Sequence, residues 1–291
     1  MAAKPRRAWS LHSNSQRLDG GAMFGNVPRS MWSQWVTPDE RNRIPLACRA
    51  LLVEDRGRLV LFEAGIGAFF PPPMRDRYGV QEERHVLLQS LESVGFSHDQ
   101  IDIVVLSHLH FDHAGGVLAA YDPEAPMSLL FPNATFVVSW DGWQRARHPH
   151  QRDRRSFIPE LPDLLEASGR LEVVKANQSS VLGGDYTLWL SQGHTPGLML
   201  TELPGEEGPV VYASDLIPGK AWVHLPITMG YDRNPEALVD EKRELLSRLV
   251  ERGGRVFFTH DHETALGRVA RDDKGRFFVQ EQWAELQGAP L

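Results

Sequence analysis

Apolar residues fall along the chain in short runs punctuated by Gly, Pro and Asp, a rhythm of strands and helices in alternation. Segments 46–53 and 58–63, separated by Glu54-Asp55-Arg56-Gly57, predict a β-hairpin with Asp and Gly turn chemistry. Runs at 101–106, 135–140, 171–174, 186–190, 210–213 and 256–258 predict further strands. Pro71-Pro72-Pro73 breaks the chain before 80–94, where Val80, Leu87, Leu88, Leu91 and Val94 follow helical spacing. Asn234 as N-cap and Pro235 at the first helical position open another helix, whose Leu238, Leu245, Leu246 and Leu249 form one apolar face. Gly253-Gly254 end it. The pattern predicts an α/β protein, an αββα sandwich.

Two stretches break the rhythm. Segment 1–45 is read as irregular, and within it Met23, Phe24, Met31, Trp32 and Trp35 offer apolar surface for a substrate pocket or a homodimer contact. Segment 141–160 is rich in Arg, His and Pro. It is read as a solvated insertion and a lid candidate, in which Arg145, Arg147, Arg152, Arg154 and Arg155, with His148 and His150, could meet an anionic group.

Chemistry enters directly after the run 101–106. His108, His110, Asp112 and His113 put three imidazoles and a carboxylate into less than two turns of chain, a density that packing does not require and that suits a metal site. Gly115 and Gly116 follow, fit for a tight turn past a bound ion or at a helix start. Other strand-like runs also lead to ligand-type residues: 186–190 to His194, 210–213 to Asp215, 256–258 to His260. Strand carboxyl ends are where α/β proteins bind ligands, so these residues are expected to converge. Within the cluster, His108 and His110 at i and i+2 face one way while the turn at Asp112 and His113 redirects to a neighbouring point. Donors of nitrogen and oxygen without thiolate suit zinc, iron or manganese.

Ser107 to Gly116, SHLHFDHAGG, resembles the HxHxDH signature of the metallo-β-lactamase superfamily. GHTPG at 193–197, Ser214-Asp215 and Thr259-His260-Asp261 resemble its later ligand segments in the same order, and the whole looks most like the lactonase and related hydrolase branch. The resemblance implies two divalent metal ions, zinc first, with iron or manganese as alternatives. It assigns His108, His110 and His194 to one ion, Asp112, His113 and His260 to the other, and Asp215 to a bridge. It also gives Asp112 a catalytic role in handling the transferred proton. Glu63 stands where the family often has the Asp of Asp-Thr-Gly, and Asp102 just before the ligand strand; both are candidate supports for the imidazoles. In acyl-homoserine lactonases a tyrosine three residues after the bridging aspartate assists the carbonyl, but Pro218 occupies that position here. Among possible substitutes, Tyr212 reads as core and Tyr231 as a turn residue, while Trp222 and His224 are the candidate substrate contacts.

Composition sets outer limits. With 291 residues the chain has room for one or two domains, and ligands running from His108 to His260 favour a single domain over 1–291. Lys plus Arg total 31 against 38 for Asp plus Glu, a net charge of −7 that offers no general attraction to nucleic acid. Cys48 alone makes no disulfide framework or thiolate cluster. Lys4, Arg6 and Arg7 precede a polar stretch where a signal peptide needs an apolar core, and no run approaches the roughly 20 apolar residues of a membrane helix. A cytoplasmic protein without membrane partner is expected.

Two ions sharing a hydroxide would supply a nucleophile at neutral pH and polarise an ester oxygen. The expected function is therefore hydrolysis of a small-molecule lactone or related carboxylic ester. Phosphotriester or β-lactam cleavage on the same site is the alternative, and an iron-dependent dioxygenase on the same fold is the alternative of another class.

Overall fold

A computed structural model describes residues 6–291; Lys4 lies outside them. The strands are β1 (Arg7–Leu11), β2 (Gln16–Asp19), β3 (Arg43–Leu46), β4 (Ala50–Asp55), β5 (Arg58–Phe62), β6 (Ile103–Val105), β7 (Thr135–Ser139) and β8 (Leu171–Val174). They continue with β9 (Thr187–Ser191), β10 (Leu198–Leu203), β11 (Val210–Tyr212), β12 (Arg255–Phe257), β13 (Leu266–Arg271), β14 (Phe277–Trp283) and β15 (Gln287–Pro290). One sheet runs β15-β1-β4-β5-β6-β7-β8, and a second β14-β13-β12-β11-β10-β9.

Period-two alternation explains how the layers stack. From β4 and β5, Leu51, Val53, Val60 and Phe62 face inward to meet Leu188, Met199, Val210, Tyr212 and Phe257 of the other sheet. Their neighbours Ala50, Leu52, Leu59 and Leu61 face outward, where Leu87, Leu91, Leu161 and Leu165 from helices cover them. On the far side, Leu198, Leu200, Val211 and Val256 are covered by Leu238, Leu245, Leu246 and Leu249 of the helix Pro235–Glu251. The result is the αββα sandwich. As the sequence reading has it, the Asn234 side chain caps that helix by accepting from the Ala237 N–H at 3.3 Å. The predicted hairpin forms with Arg56 and Gly57 both at positive φ, 54° and 81°, the two-residue turn that matches strand twist.

The described part of segment 1–45 is not irregular as expected. It contributes β1 to the large sheet, pairs β2 with β3, and forms short helices at Gly20–Phe24 and Arg29–Trp32. Only four or five residues per element leave too little periodicity to read. The expected insertion also begins with a helix, Trp140–Arg147, whose Ser139 cap accepts from the Gly142 N–H. The helix predicted over 80–94 is confined to Val86–Ser93, with a separate one at Pro72–Tyr78. Among the described residues no helix is long and apolar enough to cross a membrane.

Candidate metal centre

All four expected strand ends converge. His108 follows β6, His194 follows β9, Asp215 follows β11 and His260 follows β12, and they meet at one rim of the sandwich with His110, Asp112 and His113. Ligand atoms of His108, His110 and His194 lie within 4.8 Å of one another, and so do those of Asp112, His113 and His260. Asp215 stands between the groups: its Oδ2 is 3.2 Å from His194 Nε2, while its Oδ1 is 3.3 Å from His113 Nε2 and 3.1 Å from His260 Nε2.

The outer nitrogens of four rings are already committed. His194 Nδ1 bonds Asp232 Oδ1 at 2.9 Å, His113 Nδ1 bonds Glu63 Oε2 at 2.7 Å, His260 Nδ1 donates to the Ala47 carbonyl at 2.7 Å, and His108 Nδ1 lies 2.9 Å from Ser107 Oγ. These bonds fix tautomers and leave Nε2 atoms turned inward. Inward lie buried atoms with no hydrogen bond: His108 Nε2, His110 Nε2 and Asp215 Oδ1, whose close approaches to His113 and His260 lack hydrogen-bond geometry. Buried polar groups rarely go unpaired, and converging imidazole and carboxylate donors are what a divalent transition metal takes. The residues present therefore fit such ions.

Glu63 is the hub of the supporting layer. It accepts from His113, from the hydroxyls of Ser107 and Ser214, and from Tyr212 Oη at 2.8 Å. With its oxygens so occupied, it orients ligands instead of joining His108 and His113 in a third site. Glu63 and Ser214 both hold positive φ, 60° and 46°, a strain of about 1–3 kcal/mol each that their mutual bond and burial maintain. Burial works against charge on Glu63, yet His113, Ser107 and Ser214 keep it below its ordinary value.

Electrostatics divides the imidazoles. Burial, then the neighbouring rings, holds His108 and His110 well below 6.5. Burial also opposes charge on His113, His194 and His260, but the carboxylates of Glu63, Asp215 and Asp232 around them raise all three. The carboxylates thus favour positive charge at the centre, which a metal ion supplies in place of protons.

Gly115 and Gly116 open the short 3-10 helix Gly115–Val117, the second of the two expected roles, and also make a close backbone crossing. A Cβ at Gly116 would lie 2.0 Å from the Ala64 carbonyl oxygen, so only glycine lets the ligand segment pack on the Glu63 loop. Asp102 is not a support of the imidazoles. Its exposed carboxylate accepts the Leu59 N–H at 2.7 Å at the opposite end of β6, where it ties the ends of two neighbouring strands.

A cavity of about 470 Å³ opens over the centre, lined by Met23, Leu46, Tyr78, Asp112, Met229 and Tyr231 among others. Trp222 and His224 are not on it. They line an adjacent cavity, because Lys242 Nζ donates to the carbonyls of Trp222, His224 and Ile227 at 2.9, 3.2 and 2.7 Å and fixes that segment, while Trp222 Nε1 donates to Met23 O at 3.1 Å. Tyr212 is core, as read, but Tyr231 is more than a turn residue: it faces the metal-side cavity, 41% exposed. Partial burial and the nearby Asp112 carboxylate raise its phenol to about 12, so it carries its proton at neutral pH.

Sequence reasoning missed Asp232, Gln16, Ser107 and Ser214. Asp232 also accepts the Met229 N–H at 2.6 Å, and so ties the loop bearing Tyr231 to His194. Gln16 Nε2 donates to Asp112 Oδ2 at 2.9 Å. Segment 141–160 is part of the wall and not simply solvated: Phe157 is buried against the His110 ring, with centroids 4.8 Å apart, and the two backbones form a β-bridge.

Residues 43–266 match the metallo-beta-lactamase superfamily, and the chain belongs to it. An N-acyl homoserine lactonase of a Bacillus species is 26% identical over 244 residues, covering 80% of this chain and 87% of that protein. A probable metal-dependent hydrolase from Staphylococcus aureus has the same fold, with a TM-score of 0.84, 23% identity, and 97% of this chain and 100% of that one covered. AidC, a dizinc quorum-quenching lactonase with a product bound, superposes with a TM-score of 0.74 at 22% identity over 97% of both chains.

Proposed function

We propose that this chain is a dinuclear metal-dependent hydrolase that cleaves a lactone or related carboxylic ester. The observation that carries this reading is Asp215, with one oxygen toward His194 and the other toward His113 and His260, beside inward imidazole nitrogens that lack partners. Two sets of donors flanking one carboxylate favour two ions over the single iron of a dioxygenase. His108, His110 and His194 would hold one ion, Asp112, His113 and His260 the other, and Asp215 both. Bound there, such ions acidify water and polarise the scissile carbonyl.

The chain's own groups then handle binding and protons. Leu18, Met23, Leu46 and Met229 give the cavity apolar walls for an acyl or aryl part. Asp112, oriented by Gln16, takes the proton released as the water oxygen bonds the carbonyl carbon, and returns it to the alkoxide as the ester C–O bond breaks. Tyr231, protonated at neutral pH and facing the same cavity, donates a hydrogen bond to the carbonyl or departing oxygen, a role that Pro218 cannot fill. A homologue named as a lactonase supports a lactone or ester substrate over a phosphotriester or β-lactam.

The test is elemental analysis together with matched lactone, aryl ester, phosphotriester and β-lactam substrates, assayed with wild type and His108→Ala. About two metal equivalents and ester cleavage lost in His108→Ala are expected. One equivalent after saturation, or turnover confined to the phosphotriester, overturns the reading.

A further inference from the structure

Arg77, Arg152 and Arg155 line the mouth of the 470 Å³ cavity at exposed positions. Of the arginines around them, Arg75 pairs with Glu83, Arg145 and Arg233 with Asp153, and Arg147 with Glu166, while Arg154 lines a different cavity. These three have no carboxylate within ion-pair distance among the described residues, and residues 1–5 contain none to offer. The carboxylates that share the cavity are already engaged. Asp153 serves Arg145 and Arg233, while Asp112 and Asp215 face the centre. Part of the arginine arrangement is anchored: Arg152 Nη2 donates to Gly230 O at 2.9 Å, beside Tyr231, and Tyr78 Oη donates to Arg155 O at 3.0 Å, which joins the two segments that carry the cluster. A chain of net charge −7 thus concentrates unneutralised guanidinium at the entrance of one cavity.

We propose, resting on the hydrolase reading above, that the substrate carries an anionic substituent, a carboxylate or a phosphate, set apart from the scissile ester. Arg77, Arg152 and Arg155 hold that group at the mouth. Guanidinium is suited to this because its planar fork matches carboxylate and phosphate oxygens and stays charged at any working pH. A wholly neutral lactone would leave the cluster without a partner.

The experiment compares aryl esters that differ in one remote substituent: a neutral amide, a carboxylate or a phosphate monoester. With metal-loaded wild type at low salt, kcat/KM should favour a charged ester over the neutral one by roughly tenfold, and the advantage should shrink as ionic strength rises. Arg77→Gln/Arg152→Gln/Arg155→Gln should bring that ratio close to one, chiefly through KM, with metal content retained. Which charged ester leads identifies carboxylate or phosphate as the source. No charge preference in wild type, or one that survives the triple substitution, overturns the proposal. If no ester is hydrolysed, the reaction reading fails and the cluster is judged separately by fluorescence anisotropy of pyrenetetrasulfonate with the metal-loaded protein. Binding by wild type that is lost in the triple variant supports it; equal binding by both, or by neither, refutes it.

Discussion

Two cavities lie side by side and share Leu46 and His260, yet they are built from opposite materials. The metal-side one, about 470 Å³, gathers Asp, His, Arg and Tyr side chains; its neighbour, about 380 Å³, is walled by Trp35, Ile44, Trp222, Ile227, Phe277 and Phe278. Polar groups of the neighbour are spent locally, as Lys220 Nζ is on Glu263 at 2.6 Å. On the metal side, buried nitrogen and oxygen atoms converge without partners. Similar volumes therefore say little about chemistry. Convergence of unpaired donors, each held from behind by another residue, is what separates a reaction centre from an apolar recess.

The sharpest way to break this contrast is Asp215→Ala. Removing the carboxylate that faces both donor groups should cut turnover by more than about a hundredfold and lower bound metal as well. Asp261→Ala and His262→Ala are the controls. Asp261 accepts from the backbones of Lys220, Glu263 and Thr264 and shapes a turn, so its loss should cost stability before metal. Full metal and full rate in Asp215→Ala would refute the two-sided assignment.

Next in size is the layer behind the rings. Asp232→Asn removes the charge behind His194 and leaves one amide oxygen for the two N–H donors, of His194 and Met229, that Asp232 accepts from, and Glu63→Asp draws the carboxylate back by a methylene from His113, Ser107 and Ser214. Each should lower metal affinity or kcat by about 10–100-fold. Titration with zinc and steady-state rates check this. Wild-type behaviour in both would make these contacts packing only.

The legibility of these two layers differs for a physical reason. The metal-side donors were readable because HLHFDH is local and each further donor follows a strand end. Glu63 was readable only through a resemblance. Asp232 and Gln16 had no signal, since they meet His194 and Asp112 across 38 and 96 residues and no periodicity encodes such contacts. Other strands were likewise invisible: β14 has mostly exposed residues, and β1 and β15 are only five and four residues long. Trp222 and His224 sit after a strand end, as binding residues often do, but the buried Lys242 turns their segment to the neighbouring recess.

A third test uses pH. His113, His194 and His260 have folded pKa values raised above 6.5 in the metal-free protein, so the stability they contribute is complete below about pH 6.5 and is lost as pH rises through those higher values. Metal binding follows the opposite sign, because it requires the same rings deprotonated. Between pH 6 and pH 8 these three rings should therefore lower the metal-free Tm, offset only in part, and only near pH 6.5, by the depressed His108 and His110, while the increment in Tm given by zinc grows. Melting curves with and without chelator measure both. Parallel trends in the two forms would mean that these rings do not exchange protons for metal.

The smallest expected effect belongs to the neighbouring recess. His224 is exposed on the rim of the apolar cavity and not at the centre, and its pKa is lowered by local desolvation and then by Lys242 and Arg276. His224→Ala should leave kcat/KM within about twofold and metal content unchanged. Trp222→Ala separates stability from chemistry in the same place. It empties a stack on Phe24 with centroids 4.5 Å apart and should cost about 3–5 kcal/mol in unfolding free energy, while kcat of the folded fraction changes far less than in Asp215→Ala. A tenfold fall in kcat/KM for His224→Ala at normal Tm would show that substrate reaches past Leu46, and the two cavities would then have to be treated as one site.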